Sequence, residues 1–289
     1  MPIQISMDRN IINVLNEKLL KNKLLPALSH SKIIIHLTDI FIQELLIDEA
    51  VTRRTRHSNI LCQLFNGKIV LSMKEVLKAE LSGKKDLFFD QTIETGIKQL
   101  LDAMAQGKQL SPFQEAKRQE LLKSKKSYDE DLRIGQEMNL KGVFNGIKKA
   151  IISGLLCREK LERFDFEQYY GACLKDQKLR KLQNFLEVNG ITYDGDISLC
   201  LDSQEFPRIN FWLRSLYAYH YYTMQRWQPT LRKNDATDLN YIGSGYCVDR
   251  FITNDKMLKT VGNICFNSAD KFITWDNFES KFLPEIEDA

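Results

Sequence analysis

A chain of 289 residues with 43% apolar and 27% charged side chains can bury a substantial core, and its length alone leaves one large domain or two smaller ones open. Its net charge of +3 excludes a uniformly basic nucleic-acid binder, so any such contact must come from local patches. MPIQISMDRN carries charge where a signal peptide needs an apolar core, and no stretch approaches the roughly 20 apolar residues of a membrane span, so no membrane partner and a cytoplasmic location are expected.

In chain order, residues 3 to 7 alternate as a strand, and Ile11, Ile12, Leu15, Leu19 and Leu20 follow at helical spacing, with an end expected near Pro26. KIIIHL (32 to 37) is a β-branched run that predicts a second strand, and TDIFIQELLIDEA predicts a helix capped by Thr38 or Asp39. VTRRTRHSNILCQLF predicts a further helix and KIVL (68 to 71) a short strand. SMKEVLKAEL predicts a helix whose Ser72 and Glu75 have the capping-box spacing. Three strand–helix units in succession imply a parallel sheet, because parallel strands need crossover connections.

From residue 89 to 230 the strand signal nearly vanishes. IKQLLDAMA, FQEAKRQELLKSKK, FNGIKKAIISGLL, LRKLQNFLEV and INFWLRSLYAYHYYTMQRW all have helical periodicity, with breaks at Gly107, Pro112, Gly190 and Pro207. We read this stretch as a helical insertion on the sheet domain, which residues 1–88 and 231–289 form between them. In the last part, Asp238 is expected to open a helix, DRFIT (249 to 253) to form a strand and DKMLKTVG a helix, with NICF and KFIT as short final strands.

The six cysteines (Cys62, Cys157, Cys173, Cys200, Cys247 and Cys265) form no CxxC pair and have no histidine at zinc-ligand spacing, so they are expected to be reduced, buried and inert. GxxxxGK[ST] and GxGxxG are absent, and YIGSGY lacks the strand before it and the spacing after it that a phosphate cradle needs. This disfavours a nucleotide-binding enzyme. Of Trp212, Tyr217, Tyr219, Tyr221 and Tyr222, several lie three or four residues apart, the pattern of a core face rather than of a base-stacking platform. His57 and His220 stand far from any acid or cysteine at catalytic spacing.

Acidic residues carry the chemical signal. Asp8 follows the first strand, Glu44 lies about a turn into the helix after the second, and Asp235, Asp238 and Asp255 surround the late strand, with Asp238 preceding Asp255 by 17 residues (255 − 238). Ligands of open α/β sheets collect outside the carboxyl ends of strands. Carboxylates crowded there repel unless a cation shares them, and hard oxygen ligands are what Mg²⁺ prefers. Such an ion supplies what phosphodiester hydrolysis needs at neutral pH. Asp8 and Asp255 can also serve simply as helix caps, and TRRTRH can be a solvated helix face.

The ordered set of DxN after the first strand (Asp8, Asn10), a glutamate in the second strand–helix unit, and D(A)TD followed by T(N)D around a helix–strand step resembles the PIN-like nucleases. NDATDLNYIGSGYCVDRFITNDKML is similar to the version found in larger bacterial PIN-like proteins. The resemblance spans residues 1–88 and 231–289 and implies an α/β, PIN-like three-layer fold with a central parallel sheet and a large helical insertion. It implies a hydrolase, an Mg²⁺- or Mn²⁺-dependent endoribonuclease acting on single-stranded RNA. Asp8, Glu44, Asp238 and Asp255 would take the four metal-site positions with Asp235 as auxiliary acid, and Asn10, Thr253 and Asn254 would orient them. Glu80 competes with Glu44 for its position, and Asn240 stands where relatives often carry histidine. Arg53, Arg54 and Arg56 are candidate phosphate contacts. The insertion would carry any homo-oligomer contact or regulatory protein partner. The alternatives are a catalytically silent interaction module and a structure-specific DNA nuclease on the same site.

Overall fold

The computed structural model describes residues 2–15, 20–30, 32–85, 87–116, 118–123, 165–225 and 235–284. The chain is mixed α/β and mostly helical, built around a small parallel sheet. β1 (Ile3–Met7) is followed at once by α1 (Arg9–Val14). α1 stops at Val14, earlier than the hydrophobic spacing implies, and Pro26 does not end the helical run it lies in: a π-helical segment (Leu20–Leu24) leads straight into α2 (Leu25–Ser29), with Pro26 in the first turn of α2.

The KIIIHL run splits into β2 (Ile33–Ile35) and β3 (Leu37–Thr38) around His36, whose N–H still bonds the Ile5 carbonyl at 2.8 Å. Next come α3 (Asp39–Ile47), α4 (Val51–Leu64), β4 (Ile69–Val70) and α5 (Met73–Leu81). Thr38, not Asp39, caps α3, its hydroxyl accepting from the Phe41 N–H at 3.0 Å. Ser72 caps α5 through the Glu75 N–H, as the sequence spacing implies.

Strand order is β2–β1–β5–β6 in one sheet and β3–β4 in a second, where β5 is Arg250–Ile252 and β6 is Phe272–Ile273; the pairings between these strands are parallel, and Val70 of β4 also bridges Phe88 in antiparallel sense. Since one residue separates β2 from β3, the β3–β4 pair continues the outer edge of the larger sheet. The running order is therefore β4, β2/β3, β1, β5, β6. Early strands add to one side of β1 and late strands to the other, which makes the β1–β5 junction the switch point.

The middle of the chain supplies α6 (Gln91–Ala105), α7 (Phe166–Ala172), α8 (Lys175–Val188) and α9 (Pro207–Gln225). The expected helix FNGIKKAIISGLL, the end of FQEAKRQELLKSKK and Cys157 lie outside the described residues. α9 packs against α5 and against both late helices, α10 (Asp235–Ser244) and α11 (Lys256–Phe266), and α6 packs on α4. One continuous hydrophobic core joins sheet and helices. The described part of the insertion thus packs against the elements of the sheet domain. Trp212, Tyr217, Tyr219 and Tyr222 are buried in that core.

Two late expectations change. α10 begins at Asp235, so Asp238 stands one turn inside it. NICF is the last turn of α11, not a strand. Leu258, Val261 and Cys265 continue its buried stripe, and Asn267 ends it in the left-handed region at φ 49°. Among the described cysteines all are free; Cys200 and Cys265 are buried, Cys173 and Cys247 only partly so, and Cys62 is exposed, its thiol donating to Asp102 Oδ1 at 3.2 Å. No described helix is long and apolar enough to cross a membrane.

A candidate acidic site at the sheet edge

β1 and β5 pair with Met7 opposite Ile252, so the residues that leave these strands, Asp8 and Thr253, emerge side by side. The Asp8 N–H donates to the Ile252 carbonyl at 3.1 Å, and the buried Thr253 hydroxyl donates to Asp8 Oδ2. Thr253 Oγ1 also accepts from the Asp255 N–H at 3.0 Å, which ties both aspartates to one hydroxyl. Asp8 and Asp255 each cap the helix that follows. Asp8 Oδ1 accepts from the Ile11 N–H at 3.1 Å, and Asp255 Oδ1 from the Leu258 N–H at 2.8 Å. Asn254 Oδ1 accepts from the Trp275 N–H at 3.0 Å and so anchors the loop to the turn after β6. Asn10 is exposed.

Glu44 comes to the same place from α3. Its Oε2 accepts from the Tyr241 hydroxyl at 2.6 Å, and Tyr241 lies three residues after Asp238 on α10. Burial pushes the Tyr241 phenol well above its usual range, and the charges of Glu44, Asp8 and Asp238 push it further, so the hydroxyl stays a donor. Asp8 is raised from 3.8 to about 6. Burial is the main cause; the bond from Thr253 and the N–H groups of Ile11 and Asn10 oppose it, and the charge of Glu44 adds to it. Tyr241 therefore lies within reach of the charges of Glu44, Asp8 and Asp238, and Asp8 within reach of that of Glu44. The side chain of Asp235 lies outside the described residues.

Glu80 serves elsewhere. Its carboxylate accepts from the N–H groups of Arg208 (3.0 Å) and Ile209 (2.7 Å), capping the start of α9, so Glu44 is the glutamate that stands with Asp8. Arg53 Nε and Nη2 hold the buried Asp48 carboxylate and Arg54 donates to the Asp48 carbonyl, so both have partners inside the protein, whereas Arg56 is exposed. His57 is buried, bonds Asn13 Oδ1 at 3.0 Å, and is pushed down to about 4 by burial and then by Arg9, Arg56 and Arg53.

Four residues that sequence reasoning left unassigned belong to this edge. Tyr241 was signalled by its i, i+3 spacing from Asp238. Arg9 pairs with the buried Asp48 and donates to the Glu44 carbonyl at 2.8 Å, which fixes the backbone of α3 beneath Glu44. Neither Arg9 nor Asp48 had a sequence signal, because their meeting depends on how α1 and α3 pack. Asp39 opens α3 at the tip of β3, raised to about 6 by burial and further by the charge of Glu75, while Gln43 opposes the rise with a bond at 2.9 Å. Among the described residues, no group of three or more His, Cys, Asp or Glu is placed to hold a metal ion.

Searched against protein-family models, the chain matches none, and no curated protein or solved structure matches it.

Proposed function

We propose that the protein is a PIN-like, Mg²⁺- or Mn²⁺-dependent nuclease that hydrolyses phosphodiester bonds, with single-stranded RNA as substrate. The observation that carries this proposal is the buried Asp8 carboxyl at the β1–β5 switch point, sharing Thr253 with Asp255 and sensing Glu44. Burying a carboxylate beside another one is costly without a counter-charge. Among the described residues, the groups that offset it are the Thr253 hydroxyl and the N–H groups of Ile11 and Asn10.

The donors fit a hard dication in kind, being carboxylate oxygens at a strand edge. Asp8, Glu44, Asp238 and Asp255 would hold it, with Asp235 as a further donor. Since the described carboxylates do not stand in a group of three, occupancy requires their side chains to turn inward from their cap and hydroxyl bonds. When bound, the ion supplies activation of the attacking water and neutralisation of charge on the phosphoryl oxygens. Thr253 and Tyr241 orient the Asp8 and Glu44 carboxylates, and Arg9 fixes the backbone beneath Glu44. The exposed Arg56 stands on the next helix, suited to a flanking phosphate, beside Arg53, whose guanidinium is held by Asp48. The choice of RNA follows the family resemblance.

A catalytically silent interaction module is the second reading, favoured by the capping duty of Asp8 and Asp255 and by the absence of a three-acid group among the described residues. Cleavage of single-stranded RNA in Mn²⁺, compared between wild type and the Asp8→Asn/Asp255→Asn double variant, separates the two. The nuclease should lose about 100-fold or more in rate. Equal cleavage by both proteins rejects the assigned site. A wild type that neither cleaves nor gains thermal stability from Mn²⁺ selects the module.

A further inference from the structure

A cavity of about 840 Å³ lies among α7, α8, the turn at Ile197–Leu201, the start of α9 and Tyr246. Tyr246 stands in the turn that enters β5, whereas Thr253 and Asp255 leave that strand, so the cavity and the acidic edge are distinct places. Its volume is that of a small-molecule site. Three features of its wall are unusual together.

Lys178 is half-buried. Its ammonium donates to the Tyr170 carbonyl at 3.1 Å and lies 3.9 Å from the centre of the Tyr170 ring, yet no carboxylate among the described residues pairs with it. Burial accordingly pulls this lysine below its usual range, and the neighbouring Cys173 thiol opposes the shift. Lys175, one turn before it, is exposed on the same wall. Arg214, by contrast, is spent on Glu167 and on the Cys265 carbonyl, so among the described wall residues the two lysines are the cations able to meet a ligand, while the wall also carries the Asp202 carboxylate, whose Oδ1 accepts from the Gln204 N–H at 2.8 Å.

The second feature is apolar. Tyr246 is 39% exposed and Leu199 54% exposed, and both line the cavity, with the Tyr246 ring backed by Phe211 at 5.4 Å. Such groups offer a planar ligand a flat, wet surface that gains from being covered. The third is Asn210, which spends both amide hydrogens on the Cys200 and Phe206 carbonyls, so that only its carbonyl oxygen can address a ligand, as an acceptor.

We infer that this cavity binds a nucleotide, its phosphate against Lys178 and Lys175 and its base against Tyr246 and Leu199, with Asn210 accepting from the base. The chemistry suits a free mononucleotide and a nucleotide unit of a single strand alike. No glycine-rich loop takes part; the positive charge comes from two lysines one turn apart on α8.

Titration calorimetry of the full chain in EDTA tests this with adenosine 5′-monophosphate, adenosine, inorganic phosphate and a pentameric oligoadenylate. The monophosphate should bind at least about tenfold more tightly than adenosine or phosphate alone, and Lys178→Met and Tyr246→Ala should each weaken it by about tenfold or more. Tyr246→Ala alters a partly exposed side chain and keeps the test sound if Lys178→Met fails to fold. Tighter binding of the pentamer than of the monophosphate identifies the ligand as a strand, and equal binding identifies it as a free nucleotide. Asp8→Asn/Asp255→Asn should bind like wild type, because the cavity does not depend on the acidic edge. Absence of monophosphate and pentamer binding up to about 1 mM, or affinities unchanged in Tyr246→Ala, overturns the inference.

Discussion

Replacing Asp8 by Asn should make the metal-free protein more stable at neutral pH. Asparagine caps helices about as well as aspartate, and its oxygen can still accept from Ile11 or Thr253. What it removes is the charge. A carboxyl that titrates at about 6 in the fold and at 3.8 when unfolded makes ionisation cost about 3 kcal/mol in the folded state. The sign follows from the raised value: the stability that Asp8 contributes is fully present below 3.8 and is lost as pH rises through about 6. Asp8→Asn escapes that loss, so the variant should exceed wild type by about 3 kcal/mol near pH 7.5 and by only about 1 kcal/mol near pH 4.5. Urea unfolding in EDTA at the two pH values measures both gaps, and comparing variant with wild type at each pH cancels the other titrating groups. A variant no more stable than wild type, or a gap that does not shrink on acidification, refutes the burden placed on Asp8. Under the proposed function, added Mn²⁺ should stabilise wild type and leave Asp8→Asn nearly unchanged.

Glu80→Ala should destabilise the fold by about 2–4 kcal/mol, because the Arg208 and Ile209 N–H groups lose their acceptors in a buried place; urea unfolding reads this, and a loss below about 1 kcal/mol refutes the capping role. Asp48→Ala should cost about 3 kcal/mol by stranding the Arg9 guanidinium, which is only 18% exposed, whereas Arg53, 55% exposed, can turn to solvent and adds little. A double variant Arg9→Met/Asp48→Ala should recover part of that loss, and strictly additive single losses refute the pairing.

Local rules carried much of the fold. The β-branched runs and capping residues placed β1, β4, β5 and α3 through α5 close to where they stand, since a strand buried on both faces or a Ser–x–x–Glu cap is written in adjacent residues. Errors came where tertiary contacts override local pattern. The helical run Leu20–Ser29 passes through Pro26 instead of ending there, and NICF, apolar enough for a strand, extends α11 because Cys265 completes its buried stripe.

At the candidate site the sequence determined which residue types leave the strand ends, and so fixed the acidic character of that edge. It could not determine their partners. Thr253 reaches Asp8 across 245 residues and Tyr241 reaches Glu44 across 197, contacts that exist only once β5 lies beside β1 and α10 beside α3. Glu44 and Glu80 look alike in sequence, both lying on helices after short strands. The packing of α9 against α5 makes one a cap, and the packing of α10 against α3 gives the other a tyrosine. Backbone propensity is settled among neighbours in the chain, whereas the charge environment of a carboxyl is settled by whatever the fold places around it.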